Sequence, residues 1–379
     1  MEKQIYLDYA ATAPVRPEVK QAMAQYWDRD FGNASSIHSF GRQAQRAVDG
    51  ARRAVAKVLN CQPAEIIFTG SGTEADNLAI QGLAKNFPRG HIVTTAIEHK
   101  AVLETCRALE QAGWRVTYIK PDQEGMVAVN HIMRAITPKT FSVSVMYANN
   151  EVGTVQPIRE IGLAIKKLNQ NRKQKVYFHT DAVQAGNFLD LNTQILHVDL
   201  LTLSGHKLGG PKGIGALYVR EGTPLVPIVH GGGQERGLRS GTLNTAGIVG
   251  LGTALQIVQA RKITENQRLA RLQRYVLTEL KKLSGVVING SLTERLVNNV
   301  NFSVSGHTSD ELVIGLDMRG IAVSAAAACA AGSIEPSYVL RAMGLGEKRA
   351  SSSLRITTGH RTKKADLEQL LAALRQLIK

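Results

Sequence analysis

Between residues 65 and 219 the sequence alternates between short apolar runs of strand length and longer runs with helical periodicity. The strand-like runs cover residues 65–69, 91–96, 115–119, 141–148, 176–181, 198–203 and 216–219. Helical runs lie between several of them, at residues 72–86, 98–112 and 158–169. Strands that alternate with helices in this way indicate a largely parallel sheet with helices on both faces. The sequence therefore predicts an α/β fold.

The chain has 379 residues, which is too long for one compact core, so we expect two domains. A long helical pattern at residues 243–283, expected to break near Gly250 and Gly252, leads into a smaller α+β region. That region has strand-like runs at residues 286–288, 299–304 and 354–358, and helical runs at 309–319 and 363–378. We place the boundary between the two domains inside the long helix, near residue 260.

Composition points to a soluble protein of a reducing cytoplasm. No apolar run approaches the roughly 20 residues that cross a bilayer, and the N-terminus lacks the layout of a signal peptide. Three cysteines are too few for a disulfide framework. The net charge of +15 raises nucleic acid or an acidic protein as a partner, but no aromatic residues are interleaved with the basic ones. We expect solvated helix faces, with a docking surface for an acidic protein left open.

Lys207 and Asp181 come at the ends of two neighbouring strand-like runs. A lysine at the mouth of a buried strand can form a Schiff base with an aldehyde cofactor; a surface lysine after an edge strand is the alternative. A buried carboxylate needs a partner, and a pyridinium N–H would be one that keeps the cofactor ring a good electron sink. An aspartate that caps a helix is the alternative for Asp181. Because open α/β sheets bind ligands at the carboxyl ends of their strands, we expect a site there.

Three further polar residues extend this predicted site. Gln184 and Asn150 could bond a ring hydroxyl of the cofactor. His99 begins a predicted helix after a strand, where an imidazole could lie over a heteroaromatic ring and move protons. Taken alone, His99 would more often be a helix cap or a surface histidine.

Two glycine-rich loops could bind phosphate. The loop at residues 69–75 joins a predicted strand to a helix, whose N-terminus offers unpaired N–H groups beside the hydroxyls of Ser71 and Thr73. It also fits the looser dinucleotide fingerprint, with Glu98 as the acid for a ribose, and it could be only a tight turn. The loop at residues 230–242 is basic, carries hydroxyl groups and is a second candidate for a phosphate contact.

Arg355 and Cys329 are the candidates of the second domain. A guanidinium fork on the predicted strand of Arg355 would suit an α-carboxylate, and a surface arginine is the alternative. Cys329 lies in an alanine-rich segment that, by itself, is typical of a buried helix with an inert thiol. Cys61 and Cys106 lie near no motif, and we expect both to be inert.

Taken together, the chain resembles the pyridoxal-phosphate-dependent cysteine desulfurases of the class-V aminotransferase superfamily, the sulfur donors of iron–sulfur cluster assembly. The segments that carry the resemblance span nearly the whole chain: residues 6–12, 31–35, 70–77, 98–102, 149–153, 179–182, 204–207, 239–242 and 335–340. Their number and common order identify the chain as a member of that family. The resemblance implies a fold-type-I transferase that works as a homodimer, with a mostly parallel central sheet and a smaller α+β domain.

The resemblance also implies a role for each candidate residue. Lys207 would carry pyridoxal 5′-phosphate, His99 would stack on its ring and Asp181 would pair with its nitrogen. The other cofactor-binding residues that it implies are Gly72, Thr73, Asn150, Gln184, Ser204 and His206, joined by Thr242 from the other subunit. Asn33 and Arg355 would bind the carboxylate of the substrate, L-cysteine. Lys207 would move the Cα proton, and the Cys329 thiolate would attack the sulfur, leaving alanine and a persulfide on Cys329.

The implied domains are an N-terminal segment, residues 1–15, packing with the small domain; a large cofactor-binding domain, 16–260; and a small domain, 261–379, with the Cys329 loop. The implied partner is a sulfur-acceptor protein, either an iron–sulfur scaffold or another carrier; no metal, nucleic acid or membrane is expected. Residues 325–328 are alanines where the family is rich in serine and glycine, so we expect a stiffer loop and slower sulfur delivery. The chain ends at Lys379, whereas many members of the family continue into a scaffold-docking tail, so scaffold binding is not carried over.

Other functions stay open at this point. A selenocysteine lyase of the same fold is the nearest alternative, and it should tolerate Cys329→Ala with selenocysteine as substrate. An aminotransferase would need no Cys329. A dinucleotide-binding or nucleic-acid-binding protein is the alternative from another class.

Overall fold

The computed structural model describes residues 4–325 and 336–378. The strands of this part of the chain are β1 (Ile5–Tyr6), β2 (Ile66–Thr69), β3 (His91–Thr95), β4 (Arg115–Ile119), β5 (Thr140–Ser144), β6 (Tyr177–Asp181), β7 (Leu200–Ser204), β8 (Gly215–Val219), β9 (Val286–Asn289), β10 (Asn299–Val304), β11 (Ile321–Ala322), β12 (Ser324–Ala325) and β13 (Ser353–Thr357). Its helices are α1 (Pro17–Ala24), α2 (Ser39–Leu59), α3 (Gly72–Ala84), α4 (Lys100–Gln111), α5 (Val129–Ala135), α6 (Ile158–Asn169), α7 (Thr193–Leu196), α8 (Thr245–Leu280), α9 (Ser309–Asp317), α10 (Tyr338–Ala342), α11 (Glu347–Ser351) and α12 (Lys364–Leu377).

The large sheet has the strand order β2-β8-β7-β6-β5-β3-β4. Its strands pair in parallel except that β8 runs antiparallel to both β2 and β7. Successive residues of a strand face opposite sides of a sheet. Accordingly, Leu201 packs in one buried cluster with Leu251 of α8, whereas Leu200 packs in another with Leu78 of α3. The predicted α/β fold, with a mostly parallel sheet covered on both faces, is confirmed.

Helix α8 runs without interruption from Thr245 to Leu280, so the predicted break near Gly250 and Gly252 is wrong. The two glycines serve helix packing instead. A Cβ atom on Gly250 would lie 2.7 Å from the Met23 sulfur, and one on Gly252 would lie 3.0 Å from the Ala51 Cβ. Because neither position has room for a side chain, glycine lets α8 approach α1 and α2 closely.

The C-terminal part of the chain forms a second sheet, with the antiparallel order β12-β13-β10-β9. The N-terminal strand β1 pairs in parallel with β11, and Ile5 and Leu7 share a buried cluster with Phe302 of β10 and Leu370 of α12. The N-terminal segment is therefore packed on this α+β part. The division of the chain at residues 15 and 260 stays a prediction.

Several predicted element bounds need correction. The predicted strand at 141–148 ends at Ser144, and the short helices α5, α7, α10 and α11 had no counterpart in the sequence pattern. Within the described residues, no helix combines the length and the apolar character needed to span a membrane.

Candidate active site

Lys207 lies in a short 3-10 turn, Gly205–Lys207, directly after β7. Strand β7 is buried between β6 and β8, so the alternative of an edge strand is wrong. The Lys207 Nζ donates hydrogen bonds to the carbonyl oxygens of Ala10 at 2.5 Å and Ala11 at 2.7 Å. Burial, reinforced by the charge of Arg355, lowers the Lys207 pKa to about 8. The amine is thus held inside the protein and loses its proton more readily than an exposed lysine.

Asp181 is the last residue of β6 and lies in register with Thr202 of β7. Its Oδ1 accepts a hydrogen bond from the Val183 N–H at 2.9 Å. Burial raises the Asp181 pKa, while the nearby His99 opposes that shift. A cationic N–H on a ligand would compensate for the buried carboxylate.

A cavity of about 620 Å³ joins these two strand ends to the rest of the predicted site. Its walls include the predicted residues Gly72, Thr73, His99, Asn150, Asp181, Gln184, Ser204, His206, Lys207 and Arg355. They come from several strand ends and helix starts that are far apart in the sequence.

One wall of the cavity is the N-terminus of α3. Ser71 caps this helix by accepting a hydrogen bond from the Glu74 N–H at 3.0 Å. A Cβ atom on Gly72 would lie 3.1 Å from the Val183 Cγ2 and 3.2 Å from the Ser204 Cβ, so only glycine fits between the strand end and the helix. Unpaired N–H groups at such a helix start favour an anion.

Glu98, the acid that the dinucleotide alternative requires, is fully buried. Its Oε1 accepts hydrogen bonds from the Thr95 hydroxyl at 2.7 Å and the Met146 N–H at 2.9 Å. Its Oε2 has no hydrogen-bond partner among the described residues, but Glu98 does not line the cavity beside the glycine-rich loop. Because the side chain is buried away from that cavity, the dinucleotide alternative loses its support.

Two histidines of the cavity are neutral near pH 7. His99 is the N-cap of α4, and its Nδ1 accepts a hydrogen bond from the Ala101 N–H at 3.1 Å. Desolvation by the surrounding protein lowers the His99 pKa, although the residue keeps an exposed surface, so a proton on Nε2 is the form that fits this bond. Burial also lowers the His206 pKa to about 4, and the His206 Nδ1 lies 3.2 Å from the Thr12 Oγ1.

Arg355 connects the sheet of the α+β part to the cavity. It lies on β13 with 2% of its surface exposed, and its Nη2 is 2.8 Å from the Asp8 Oδ1. Its Nη1 donates to the Asn150 carbonyl oxygen at 2.9 Å. The Arg355 Nε and the Asn150 Oδ1 are buried without a hydrogen-bond partner among the described residues. Since buried polar groups are normally paired, these two atoms of the cavity indicate a polar ligand.

Two predicted residues do not line this cavity, and a third lies outside the described residues. Asn33 is exposed, and its Oδ1 accepts a hydrogen bond from the Ser35 N–H at 2.9 Å. Thr242 is exposed in the loop before α8. Cys329 lies outside the described residues. Their roles stay predictions.

The second glycine-rich loop is anchored by ion pairs. Buried Glu235 pairs with Arg52 at 2.5 Å and accepts from the Phe68 N–H at 2.7 Å. Arg239 pairs with Glu74, in the first turn of α3, at 2.8 Å. The loop that carries Thr242 is thus tied to the helix that forms the predicted phosphate site.

The sequence analysis missed the contribution of the N-terminal segment. Asp8 holds Arg355, the carbonyl groups of Ala10 and Ala11 hold Lys207, and Thr12 contacts His206. The sequence indicates residues 6–12 only as a motif. Every residue has a main-chain carbonyl group, so residue types do not show which carbonyl groups bind Lys207. Among the described residues, no cluster of side chains is arranged to hold a metal ion.

The fold and this site define a class of protein. The chain belongs to the class-V aminotransferase family, whose pattern matches residues 5–370. It is 45% identical over 384 aligned residues to a protein named cysteine desulfurase IscS from Clostridium botulinum, and the match covers 100% of this chain and 95% of that protein. This confirms the predicted membership of the cysteine desulfurase family.

Solved structures give the same result. A structure titled NifS-like protein matches with a TM-score of 0.93 and 34% identity, covering 99% of both chains. Another, titled SspA in complex with cysteine, matches with a TM-score of 0.83 and 38% identity, covering 94% of this chain and 98% of that one.

Proposed function

We propose that the chain is a pyridoxal 5′-phosphate-dependent cysteine desulfurase, which takes sulfur from L-cysteine and leaves L-alanine. The observation that carries the proposal is one cavity in which a half-buried lysine, a buried acid and a buried arginine meet, namely Lys207, Asp181 and Arg355. The full-length similarity to proteins named cysteine desulfurase supports the same reaction.

The residues of the cavity fit the proposed cofactor group by group. Lys207 would bind its aldehyde, Asp181 its ring nitrogen, and Asn150 and Gln184 its ring hydroxyl. The phosphate would be held at the start of α3 by Gly72 and Thr73, together with Ser204 and His206. The unpaired Asn150 Oδ1 and the glycine required at position 72 are the observations that favour this fit. When bound, the cofactor supplies an electron sink for the carbon atom that bears the amino group.

Side chains of the protein would carry out the remaining steps. Arg355, joined by Asn33, would bind the substrate carboxylate, and His99 would lie over the cofactor ring. The lowered Lys207 pKa suits an amine that accepts and returns the Cα proton. The Cys329 thiolate would attack the substrate sulfur, so that the carbon–sulfur bond breaks, a sulfur–sulfur bond forms and Cys329 holds a persulfide.

The proposed enzyme is a homodimer that hands its sulfur to an acceptor protein, either an iron–sulfur scaffold or another carrier. Large apolar side chains near the N-terminus are exposed in the single chain: Trp27, Phe31, Ile37 and Phe40. A second copy covering this apolar surface would explain it. Asn33 lies within the same stretch, and Thr242 of a second copy would complete the phosphate site.

Alanine release from L-cysteine tests this function. Cys329→Ser should abolish alanine release, whereas Cys61→Ser should not change it, since burial raises the Cys61 pKa to about 12 and makes that thiol unreactive. Activity of Cys329→Ala with selenocysteine but not cysteine would favour the lyase alternative. Undiminished alanine release by Cys329→Ser would contradict the proposal.

A further inference from the structure

A second cavity, of about 200 Å³, adjoins the candidate active site and lies where the N-terminal segment, α8 and the α+β part meet. Gln184 and Lys207 line both cavities. Its other polar walls include Arg16, Asn187, Asn298 and His360. No step of the proposed desulfurase reaction uses these four side chains.

Arg16 is the key charged residue of this cavity, and it packs against the main chain at Gly209. Only 9% of its surface is exposed. A Cβ atom on Gly209, which has a φ of +78°, would lie 3.0 Å from both the Cγ and the Nε of Arg16. The Arg16 N–H donates to the Gly209 carbonyl at 2.9 Å, and the Arg16 Nε donates to the Leu208 carbonyl at 3.5 Å. The Arg16 side chain therefore lies against the main chain of Gly209, where any other residue would place a Cβ atom in close contact with it.

The charge of Arg16 is not neutralised by an ion pair within the described residues. Glu265, which also lines the cavity, is the acid that attracts Arg16 most strongly, but it is bound by Arg268 at 2.6 and 2.9 Å. Burial lowers the Arg16 pKa. Because a buried charge is costly without a partner, this guanidinium would be stabilised by an anion.

Two residues that line the cavity each hold a buried polar side-chain atom that has no hydrogen-bond partner among the described residues. They are the Oδ1 of Asn298, which is 5% exposed, and the Nε2 of His360. Burial lowers the His360 pKa to about 4, so the imidazole is neutral near pH 7. The cavity thus offers one unpaired cation and two neutral polar groups, which suits a ligand with a single negative charge.

We propose that this cavity is a second binding site, for a small monocarboxylate whose two oxygens accept hydrogen bonds from the terminal nitrogens of Arg16. A planar guanidinium pairs with a carboxylate through two parallel hydrogen bonds. Glu265 disfavours a second negative charge on the ligand, so a phosphate dianion fits less well. A carboxylate here would lie between Arg16 and the side chains of Asn298 and His360, and would link the start of α1 to the α+β part.

Thermal unfolding of the holoenzyme in sodium acetate, with sodium chloride exchanged to keep the ionic strength constant, tests this site. Acetate bound to the folded protein should raise the unfolding midpoint by about 2 °C or more at saturation. In Arg16→Gln the rise should fall to the part that the Arg355 site supplies, and it should disappear when Arg16→Gln is combined with Arg355→Gln. Arg16→Lys keeps the charge but not the planar fork, so its rise should lie between those of Arg16→Gln and the wild type. Both variants keep the main-chain bond to Gly209.

Two comparisons make the outcome decisive. Arg355→Gln removes the carboxylate-binding group of the candidate active site, and it should keep the part of the acetate effect that depends on Arg16. Sodium phosphate should stabilise the wild-type protein less than acetate does. The site is ruled out if acetate does not stabilise the wild-type protein, if Arg16→Gln keeps the full effect, or if Arg355→Gln loses the effect completely. A larger effect of phosphate rules out a carboxylate. Since unfolding is measured without turnover, this result does not depend on the desulfurase proposal.

Discussion

The guanidinium of Arg355 is bound to the carboxylate of Asp8, with 2.8 Å between the Nη2 and Oδ1 atoms. The two residues are 347 positions apart, so the N-terminal segment orients an arginine of the second sheet. One donor of that arginine, Nε, stays unpaired among the described residues. The orientation of Arg355 is therefore fixed by the protein before any ligand binds.

Arg355→Gln should raise the KM for L-cysteine by about 10- to 100-fold, because hydrogen bonds to charged groups contribute about 1.5–3 kcal/mol. Steady-state alanine release at varied L-cysteine measures this change. Arg341→Gln is the matched control, since that arginine is exposed and lies 3.5 Å from Glu347. An unchanged KM in Arg355→Gln would rule out its proposed role.

The lowered Lys207 pKa predicts how cofactor uptake depends on pH. Only the neutral amine attacks an aldehyde, so the rate of cofactor binding to the apoenzyme should rise with pH and level off above about pH 8. Stopped-flow absorbance between pH 6.5 and 9.5 gives this rate, and the same titration with a free lysine derivative corrects for ionisation of the cofactor. A rate still rising steeply at pH 9.5 would mean that Lys207 titrates like an exposed lysine.

Glu98 should make the folding stability depend on pH. Burial raises its pKa from the ordinary 4.5 to about 8. Between these values the folded state holds a proton that the unfolded state has lost, so the contribution of this carboxyl to stability is lost as the pH rises. Glu98→Gln cannot lose a proton. Its free energy of unfolding, relative to wild type, should therefore increase from pH 5 to pH 8.

Urea unfolding at three pH values measures that difference. Glu104→Gln is the control, because Glu104 is exposed on α4 and should give a difference that does not change with pH. A Glu98→Gln difference that is flat over the same range would contradict the prediction.

Alanine in place of two glycines in long helices should change the free energy of unfolding in opposite directions. Gly252→Ala would bring its Cβ to 3.0 Å from the Ala51 Cβ, and overpacking should destabilise the protein by about 1–3 kcal/mol. In α2, a Cβ on Gly50 meets only the flexible end of Arg53, at 3.9 Å. Gly50→Ala should therefore stabilise the protein by about 0.5–1 kcal/mol through the better helix propensity of alanine. Urea unfolding of both variants measures these two changes in the free energy of unfolding. A loss of stability in Gly50→Ala would contradict the prediction.

The sequence was informative where a side chain itself carries the chemistry. Lys207 and Asp181 could be placed together because both end strand-like runs, and parallel strands end at one edge of a sheet. The Lys207 contacts with Ala10 and Ala11 could not be predicted, because they join main-chain carbonyl groups nearly 200 positions away.

The glycines of α8 were interpreted wrongly for a related reason. Local propensity treats glycine as a helix breaker, but the contacts that require Gly250 and Gly252 come from α1, α2 and the Pro211 loop. Asn33 and Thr242 are exposed and do not line the cavity, so the single chain does not test their predicted roles.

Peptide mass spectrometry of the purified protein after borohydride reduction tests the central claim most directly. Reduction fixes an aldehyde cofactor permanently on the amine that holds it. The cofactor should be found on Lys207, and Lys212, the other lysine of the cavity, should be unmodified. A cofactor found on Lys212, or no modified lysine in a protein that absorbs visible light, would contradict it.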